Sequence, residues 1–364
     1  MNSVEPGKRL PIVRDLRIAF LACNRVARRW RENPSYYYRC DNPGVFLADQ
    51  GAMVTTCHLN DAPSPSTLDL VVFHRPRANW RLRWLLWRYR RAGVAVVADV
   101  DDLVFDERLV RESPAIRNRR VPLPIQWRIF RLQRKALSWF SHVAVSTETL
   151  AGHVHRLFPE ANIAILFNSV FWSWRFNTDP PPTPLAAPPY VITYMSGTRS
   201  HDRDFGLIAG QLQRFLVDHP DTTLRITGPL KFQMDVPEGQ LVHSDRVPFE
   251  HYRELFKGVW VNLAPLEATP FNACKSALKA MEAGFMGVPT LYSNNPDMDR
   301  LAGEGVFRVE DGDWYGALER LRDPVRYAAA VANLRERVLP LADVAKQGEG
   351  LLTLLQASAI RETL

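Results

Sequence analysis

Apolar and polar positions follow two patterns that take turns along this chain. Short runs of β-branched and other apolar residues are separated by longer stretches in which apolar residues recur every three or four positions, as expected for strands alternating with helices. In the first half, strands are predicted at residues 16–23, 68–74, 94–100, 142–146 and 163–168. Helices predicted between them include residues 80–92 and 123–140.

The same alternation restarts after a proline-rich segment at residues 179–189. Proline cannot donate to a sheet ladder or sit inside a helix, so this segment is predicted to be a semi-rigid linker. After it, strands are predicted at residues 190–195, 223–227, 241–243, 259–263, 288–292 and 306–309, and helices at 204–218, 249–256, 275–284 and 314–322.

Two successive strand-helix patterns predict an α/β protein with two doubly wound, Rossmann-like domains. The 364 residues also exceed what one hydrophobic core usually supports. We expect domains at residues 1–178 and 190–338, joined by the linker, and a C-terminal helix in 339–364 that packs back toward the first domain. Because such folds bind ligands at the carboxyl ends of their strands, the two domains are expected to face each other across a cleft.

The composition is that of an ordinary globular protein, with 46% hydrophobic and 23% charged residues. No apolar run reaches 18 residues, and none before Ile18 suits a signal peptide, so a cytoplasmic location is expected. The four cysteines lie far apart and include no Cys-x-x-Cys pair, which favours free thiols over disulfides or a zinc site.

A net charge of +7 favours anionic partners, but nucleic acid, anionic lipid and diphosphate substrates all meet that description. Much of the excess lies in two stretches rich in arginine and aromatic residues, 25–39 and 79–91. In the second, arginines with Trp84 and Trp87 flank an apolar helical stripe, as in helices that lie at a membrane interface. A surface helix that packs its stripe on the sheet is the alternative.

The segment after the first strand of the second half is suited to binding an anion. Small residues at 196–198 let backbone N–H groups approach a phosphate, and the following helix adds the positive end of its dipole. An ordinary strand-to-helix turn with Asp204 as N-cap is the alternative. The candidate ligands here are Gly197, Thr198, Arg199 and His201.

A second candidate donor-binding segment covers residues 272–289. In a helix over 275–284, Lys275, Lys279 and Glu282 share one face, so the lysines can meet phosphate oxygens and the glutamate a ribose diol. A solvated charged face is the alternative, but the small apolar residues that follow indicate burial. Asn272, Ser276 and Gly228 complete this set of candidates.

Residues 275–289, Lys-Ser-x-x-Lys-x-x-Glu-x-Gly-x-x-Gly-Val-Pro, resemble the donor-site helix of bacterial GT-B glycosyltransferases near family 4. In that family a glutamate ahead of a Gly-x-Pro turn binds the nucleotide ribose, which maps onto Glu282. The segments 99–105 and 196–204 also resemble a surface-polysaccharide branch that includes O-antigen, capsule and rhamnosyltransferase-like enzymes.

The chain departs from the family pattern at two positions. Eight residues before Glu282 stands Cys274, where the family has a sugar-contacting glutamate. Five residues after Arg199 stands Asp204, where the family has a lysine that binds the diphosphate. Lys275, Lys279 and His201 are the candidate substitutes for the missing diphosphate ligand.

Carboxylates and a histidine form the candidate catalytic group. Asp99, Asp101 and Asp102 follow a predicted strand, and His74 ends the neighbouring one. An Asp-x-Asp pair suits a divalent metal in single-domain GT-A enzymes, whereas in two domains these carboxylates are expected to orient an acceptor hydroxyl or act as base, or to be structural. Glu267, on the loop before the donor segment, is expected near the sugar; a solvated loop carboxylate is the alternative.

The resemblance implies transfer of a hexosyl or deoxyhexosyl group from a nucleotide-diphosphate sugar to a glycan or polyprenyl-diphosphate-linked acceptor, in surface polysaccharide or lipopolysaccharide assembly. It further implies retention at the anomeric carbon, with no cofactor and no metal. A place at the inner face of the cytoplasmic membrane, as a peripheral protein, is also expected. Two alternatives stay open: a sugar-nucleotide epimerase or hydrolase of the same fold, and a basic nucleic-acid-binding protein, which leaves the 275–282 pattern unexplained.

Overall fold

The computed structural model describes residues 13–176, 187–197, 199–303 and 305–361. Thr198 and residues 179–186 of the predicted linker lie outside these ranges. The chain divides into two compact units. The first contains Met1–Phe176, Cys274–Ser276 and Ala342–Leu364, and the second contains Asn177–Ala273 and Ala277–Leu341.

The first unit is built on a six-stranded parallel sheet with the order β2-β1-β3-β4-β5-β6. Its strands are Arg17–Ala22 (β1), Met53–His58 (β2), Leu70–His74 (β3), Ala95–Val100 (β4), His142–Val145 (β5) and Asn162–Ile165 (β6). Its helices, up to Phe176, are Pro34–Tyr36 (α1), Asn42–Asp49 (α2), Trp80–Arg91 (α3), Pro114–Arg117 (α4), Leu123–Leu137 (α5) and Glu148–Leu157 (α6).

Burial explains which of these strands the sequence pattern reveals. All residues of β3 and β4 are buried, as expected in a parallel sheet that is covered on both faces. The edge strand β2 is absent from the sequence prediction because Thr55 and Thr56 interrupt its apolar pattern, and the strand is only partly buried.

The second unit has its own six-stranded parallel sheet, with the order β12-β11-β10-β7-β8-β9. Its strands are Tyr190–Met195 (β7), Thr222–Thr227 (β8), Leu241–Ser244 (β9), Val261–Ala264 (β10), Thr290–Tyr292 (β11) and Val306–Arg308 (β12). Its helices are Asp202–Gly206 (α7), Ala209–Asp218 (α8), Pro270–Ala273 (α9), Leu278–Phe285 (α10), Pro296–Asp299 (α11), Trp314–Arg322 (α12), Pro324–Val331 (α13) and Leu334–Val338 (α14).

Two helix predictions in the second unit are wrong in detail. The helix predicted at 204–218 is two helices, α7 and α8, because the chain turns after Gly206, a poor helix former. The helix predicted at 275–284 begins only at Leu278, since residues 274–276 belong to the first unit. The segment Phe249–Phe256 is a 3-10 helix.

Each sheet has a separate hydrophobic core. In the second unit, Trp260, Phe205 and Leu318 are fully buried around β7 and β10. In the first unit, the helix Val344–Arg361 (α15) contributes Val344 and Leu351 to the core formed by β1, β3 and α2. Within the described residues, none of the helices combines the length and the apolar character that a membrane span requires.

Candidate functional site

The candidate catalytic residues of the first unit meet at the carboxyl ends of β3 and β4. His74 and Asp99 are paired across these neighbouring strands, so their side chains leave the sheet side by side. His74 Nδ1 lies 2.8 Å from Asp99 Oδ2. Both residues are 2% exposed, so this pair forms the buried floor of the group.

Arg39 neutralises Asp99 from a π-helical turn, Tyr37–Asp41. Its Nε donates to Asp99 Oδ1 at 3.1 Å, and Nη1 donates to the carbonyl of Leu166 and to Asn168 Oδ1. Burial by itself raises the pKa of Asp99, but the charge of Arg39 and the hydrogen bond from His74 outweigh it, so the net pKa lies below the ordinary value. Asp99 is therefore an ionised, buried carboxylate with its acceptor capacity in use.

Ser35, from α1, completes this group although the sequence analysis did not identify it. Its hydroxyl lies 2.8 Å from His74 Nε2 and donates to Asp101 Oδ2 at 2.5 Å. Ser35 precedes His74 by 39 residues, and no motif links the two. The signal available in the sequence was the cap Asn33-Pro34, which positions Ser35 at the start of α1.

Asp101 and Asp102 form the more accessible part of the group, with side chains 10% and 22% exposed. The Arg75 guanidinium donates to both carboxylates, and Lys275 Nζ lies 3.3 Å from Asp102 Oδ1. Burial raises the pKa of Asp101, but the charges of Arg75 and His74 with the hydrogen bond from Ser35 bring it well below its ordinary range. Asp101 is thus an ionised carboxylate and a weak proton acceptor.

Every carboxylate of this cluster is matched by a neighbouring cation, namely Arg39, Arg75 or Lys275. Among the described residues, no group of three or more His, Cys, Asp or Glu side chains is arranged to hold a metal ion. The arrangement is suited to binding and orienting a polar group by hydrogen bonds.

Gly197 and Gly228 lie at the carboxyl ends of β7 and β8, where two loops touch. Gly228 has φ +101°, and a Cβ there would come 2.8 Å from Ser196 Oγ, so only glycine fits. The N–H groups of Ser196 and Gly228 already donate, to Thr227 and Ser244. Gly197 has φ +60° and open space where a side chain would stand, which leaves room for a ligand beside it.

Asp204 holds the loop after β7 to the loop before α9. Its Oδ2 lies 2.8 Å from His201 Nδ1, and its Oδ1 accepts from the Glu267 backbone N–H at 2.8 Å and from Asn272 Nδ2 at 2.9 Å. Asp204 lies inside α7, so the alternative of an N-cap is wrong. His201 and Asn272 are therefore positioned by a buried carboxylate that sequence spacing alone did not reveal.

Charged side chains line the outer side of this loop pair. Arg203 donates to Glu267 through both Nε and Nη2, the shortest distance being 2.7 Å. The Arg203 side chain is 50% exposed and that of Glu267 is 14% exposed. Arg199 is exposed and lies 3.5 Å from Asp202. Glu267 is thus a mostly buried carboxylate held by an arginine, and the alternative of a solvated loop carboxylate does not fit it.

Lys279 and Glu282 both lie on the helix α10. The Lys279 ammonium lies 4.5 Å from the centroid of the Tyr194 ring on β7. Glu282 is 2% exposed. Burial and then the charge of Glu282 raise the pKa of the Tyr252 hydroxyl well above its ordinary value. A buried carboxylate and an ammonium on one helix fit a site that binds a polar ligand.

Residues 274–276 differ from the sequence prediction. They precede α10 and belong to the first unit, so Lys275 does not share a helical face with Lys279 and Glu282. Ser276 Oγ accepts from Asn168 Nδ2 at 2.8 Å. Cys274 is 1% exposed, and burial, with the charge of Asp102, raises the pKa of its thiol to about 12. The thiol therefore does not replace the charge of the family glutamate.

The candidates thus separate into two groups. In the first unit, one network contains His74, Asp99, Asp101, Asp102 and Lys275, with Ser276 bonded to Asn168. In the second unit, Gly197 and Gly228 lie beside the set His201, Glu267 and Asn272, while Lys279 and Glu282 lie on α10. Thr198 lies outside the described residues.

Comparisons with known proteins give structural likenesses. No family model and no curated protein matches the sequence. The structure is similar to sucrose-phosphate synthase from Thermosynechococcus elongatus (TM-score 0.61, 15% identity, 94% of this chain and 100% of that chain). It is also similar to HepE of Anabaena, solved in complex with UDP and glucose (0.59, 12%, 94% and 100%), and to a glycosyltransferase from Rickettsia africae (0.60, 8%, 95% and 98%). These likenesses confirm the GT-B type of fold, with two Rossmann-like α/β units.

Proposed function

We propose that this protein is a glycosyltransferase that moves a sugar from a nucleotide-diphosphate donor to a hydroxyl of a glycan acceptor. The observation that carries the proposal is a set of three features on the second unit. They are the open space beside the Gly197 backbone, the ammonium of Lys279 and the buried carboxylate of Glu282. A fold shared with HepE, which was solved with UDP and glucose, supports a nucleotide-sugar ligand.

The donor occupies the second unit in this proposal. Glu282 accepts hydrogen bonds from the ribose diol, as the family resemblance implies. Lys279 supplies positive charge to the diphosphate, on which negative charge develops as the bond from the anomeric carbon to the diphosphate oxygen breaks. Gly228 keeps the loops after β7 and β8 in contact, and the Asp204 bonds hold His201 and Asn272 in place.

The acceptor occupies the first unit. Asp101 and Asp102 are the accessible carboxylates, and they accept a hydrogen bond from the hydroxyl that attacks the anomeric carbon. Because the pKa of Asp101 is far below neutrality, this carboxylate orients the hydroxyl and does not take its proton, which passes to the departing diphosphate oxygen. Asp99, His74 and Ser35 are positioning residues in this scheme, since their contacts fix Asp101 from the buried side.

The finer parts of the proposal rest on the family resemblance. The anomeric configuration is retained, the diphosphate is stabilised by cations in place of a metal, and the product belongs to a bacterial surface polysaccharide. The acceptor is a glycan or a polyprenyl-diphosphate-linked glycan at the inner face of the cytoplasmic membrane. NMR of the anomeric proton in the product tests retention, and transfer in the presence of EDTA tests independence of metal.

Donor binding is the deciding experiment. Thermal unfolding is followed with a panel of UDP, GDP and dTDP sugars, because a ligand that binds only the native state raises the apparent stability. The sugar nucleotide that binds is then titrated by calorimetry into the wild type, Glu282→Gln and the control Glu336→Gln, an exposed glutamate of α14.

We expect Glu282→Gln to weaken binding by about tenfold, the loss of one charge-assisted hydrogen bond, and the control to match the wild type. Failure of every sugar nucleotide to bind would refute the proposed function. Equal affinities for all three proteins would refute the role of Glu282 alone.

A further inference from the structure

Two neighbouring helices of the first unit, α3 and α5, share an outer face with an unusual composition. We call it the Arg-Trp face. Its members are Trp80, Arg83, Trp84, Trp87, Arg88 and Arg91 on α3, and Trp127, Arg128, Arg131 and Lys135 on α5. The segment just before α3 is held to α5 by a hydrogen bond from the Ala78 backbone N–H to the Leu132 carbonyl, and Arg83, Arg90, Arg91 and Lys135 line a groove between the two helices.

The tryptophans of this face are exposed to solvent. Trp80 is 77% exposed, Trp84 44%, Trp87 60% and Trp127 42%, and every other tryptophan in the described residues is buried or half-buried. Large aromatic side chains are usually buried, and their clustering on a surface indicates a binding site. The apolar stripe of α3 cannot account for them, because Leu82, Leu85 and Leu86 are already buried in the unit's own core.

The charge of the chain is concentrated in the same place. Helices α3 and α5 contain nine arginine and lysine residues and no carboxylate. The whole chain has 46 cationic and 39 acidic residues, so the remainder has 37 against 39 and is slightly acidic. Of these nine cations, only Arg134 forms an ion pair within the described residues, with Glu107. Six of them, Arg83, Arg88, Arg91, Arg128, Arg131 and Lys135, belong to the Arg-Trp face, so this face presents a dense positive charge with no carboxylate among its members.

We propose that the Arg-Trp face docks this protein on a lipid bilayer rich in anionic phospholipid. Guanidinium groups bind phosphate oxygens in bidentate fashion, and tryptophan prefers the depth of the lipid headgroups. Because the apolar stripe of α3 faces inward, the helix lies flat on the bilayer and inserts only its tryptophan side chains. The protein then associates at the membrane surface without spanning it.

The geometry of the rings favours a bilayer over single-stranded nucleic acid. Arg88 lies over the Trp84 ring at 4.6 Å from its centroid, Arg91 over Trp87 at 6.0 Å and Arg131 over Trp127 at 5.2 Å. Each arginine covers one face of its ring, so base stacking could use only the other face, whereas insertion among headgroups needs only the exposed edge. A second copy of this chain is disfavoured as the partner, because two identical cationic faces repel each other.

Vesicle binding tests the proposal. The purified protein is mixed with vesicles of phosphatidylcholine alone, or with about 30 mol% phosphatidylglycerol, and the bound fraction is measured by flotation. We expect binding to the anionic vesicles only, and its loss at about 0.5 M salt, where charges are screened within a few ångströms. Trp84→Ala/Trp87→Ala and Arg83→Glu/Arg91→Glu each weaken binding by at least about tenfold.

A matched control separates this face from charge in general. Arg14→Glu/Arg326→Glu makes the same charge change at two exposed arginines that lie outside α3 and α5, and we expect vesicle binding within about twofold of the wild type. All substituted positions are exposed, so thermal unfolding and sugar-nucleotide binding stay as in the wild type and verify that each variant is folded.

Three outcomes would overturn the proposal. The first is equal binding to neutral and anionic vesicles, and the second is unchanged vesicle binding by both face variants. The third is a single-stranded oligonucleotide that binds the wild type more tightly than anionic vesicles do and binds the face variants more weakly. Dimerisation through the face, detected by light scattering and abolished by Arg83→Glu/Arg91→Glu, would also contradict it. Failure of sugar-nucleotide binding with vesicle binding intact would count against the proposed function and leave this proposal standing.

Discussion

The buried ion pair between Arg39 and Asp99 sets a quantitative test of how the first unit is stabilised. Arg39→Met keeps the apolar stem of the side chain and removes the guanidinium. Both side chains are at most 2% exposed, so the substitution leaves a buried carboxylate without its cation. Removing one member of a buried pair typically costs about 3–5 kcal/mol. We expect the upper part of that range, because Arg39 also donates to Leu166 and Asn168.

The loss is measured by urea unfolding combined with hydrogen exchange, since peptides from β3 and β4 report on the first unit separately from those of β7 and β8. With a slope of about 2 kcal/mol per molar urea, the midpoint of the first unit falls by about 2 M. Arg17→Met is the control: Arg17 forms a similar pair with Asp69, at 2.7 Å, but on the surface of the same sheet. Its midpoint should stay close to that of the wild type.

The pH dependence separates lost charge from lost packing. In the wild type the pKa of Asp99 lies below the unfolded value of about 3.9, so its stabilisation is present above that pH and is lost as pH falls through the folded pKa. In Arg39→Met, burial dominates and raises this pKa, so the deficit shrinks between pH 7 and pH 5. A deficit that is the same at both pH values, or smaller than about 1 kcal/mol, would refute this account.

Three further predictions concern other residues. Gly228→Ala should lower the stability of the second unit by about 1–3 kcal/mol in urea unfolding, because φ is positive there and the added Cβ meets Ser196. The double variant Gly228→Ala/Ser196→Ala should regain only part of that loss, since the positive φ remains. Asp204→Ala should weaken sugar-nucleotide binding by about tenfold or more in calorimetry. Asp204→Asn keeps one acceptor oxygen but loses the carboxylate oxygen that contacts His201, and it should weaken binding less. Cys274, with a thiol pKa of about 12, should react with iodoacetamide at pH 8 at least about 100-fold faster in urea than in the native protein, which mass spectrometry of the alkylated peptide measures.

The sheets could be predicted from the sequence where the apolar run itself marks the strand. The prediction for 94–100 corresponds to β4, and that for 190–195 coincides with β7, because parallel strands covered on both faces are continuously apolar. The edge strand β2 gave no such run. The start of α10 was placed three residues too early. The spacing of Lys275 and Lys279 fits a helix, but it does not show whether the backbone between them is helical.

The candidate site was predictable only where a motif, or the ends of neighbouring strands, brings residues together. His74 and Asp99 could be expected together because each ends or follows a strand of one sheet. Ser35 and Arg39 could not, since their contacts depend on how the π-helical turn folds over that sheet. The role of Asp204 was hidden for a similar reason: the groups that it binds come from loops 63 and 68 residues away.

The helix α15 affects the order in which the protein is made and folded. Val344, Leu351 and Leu354 belong to the core of the first unit, although the ribosome produces them after the entire second unit. Domains usually fold as their residues emerge, beginning at the N-terminus. Here the unit that is synthesised first must wait for residue 354, so the second unit can complete its fold earlier. During that interval the apolar surface of α2, β4 and β6 that α15 covers stays exposed, and a nascent chain halted before residue 344 presents it to chaperones.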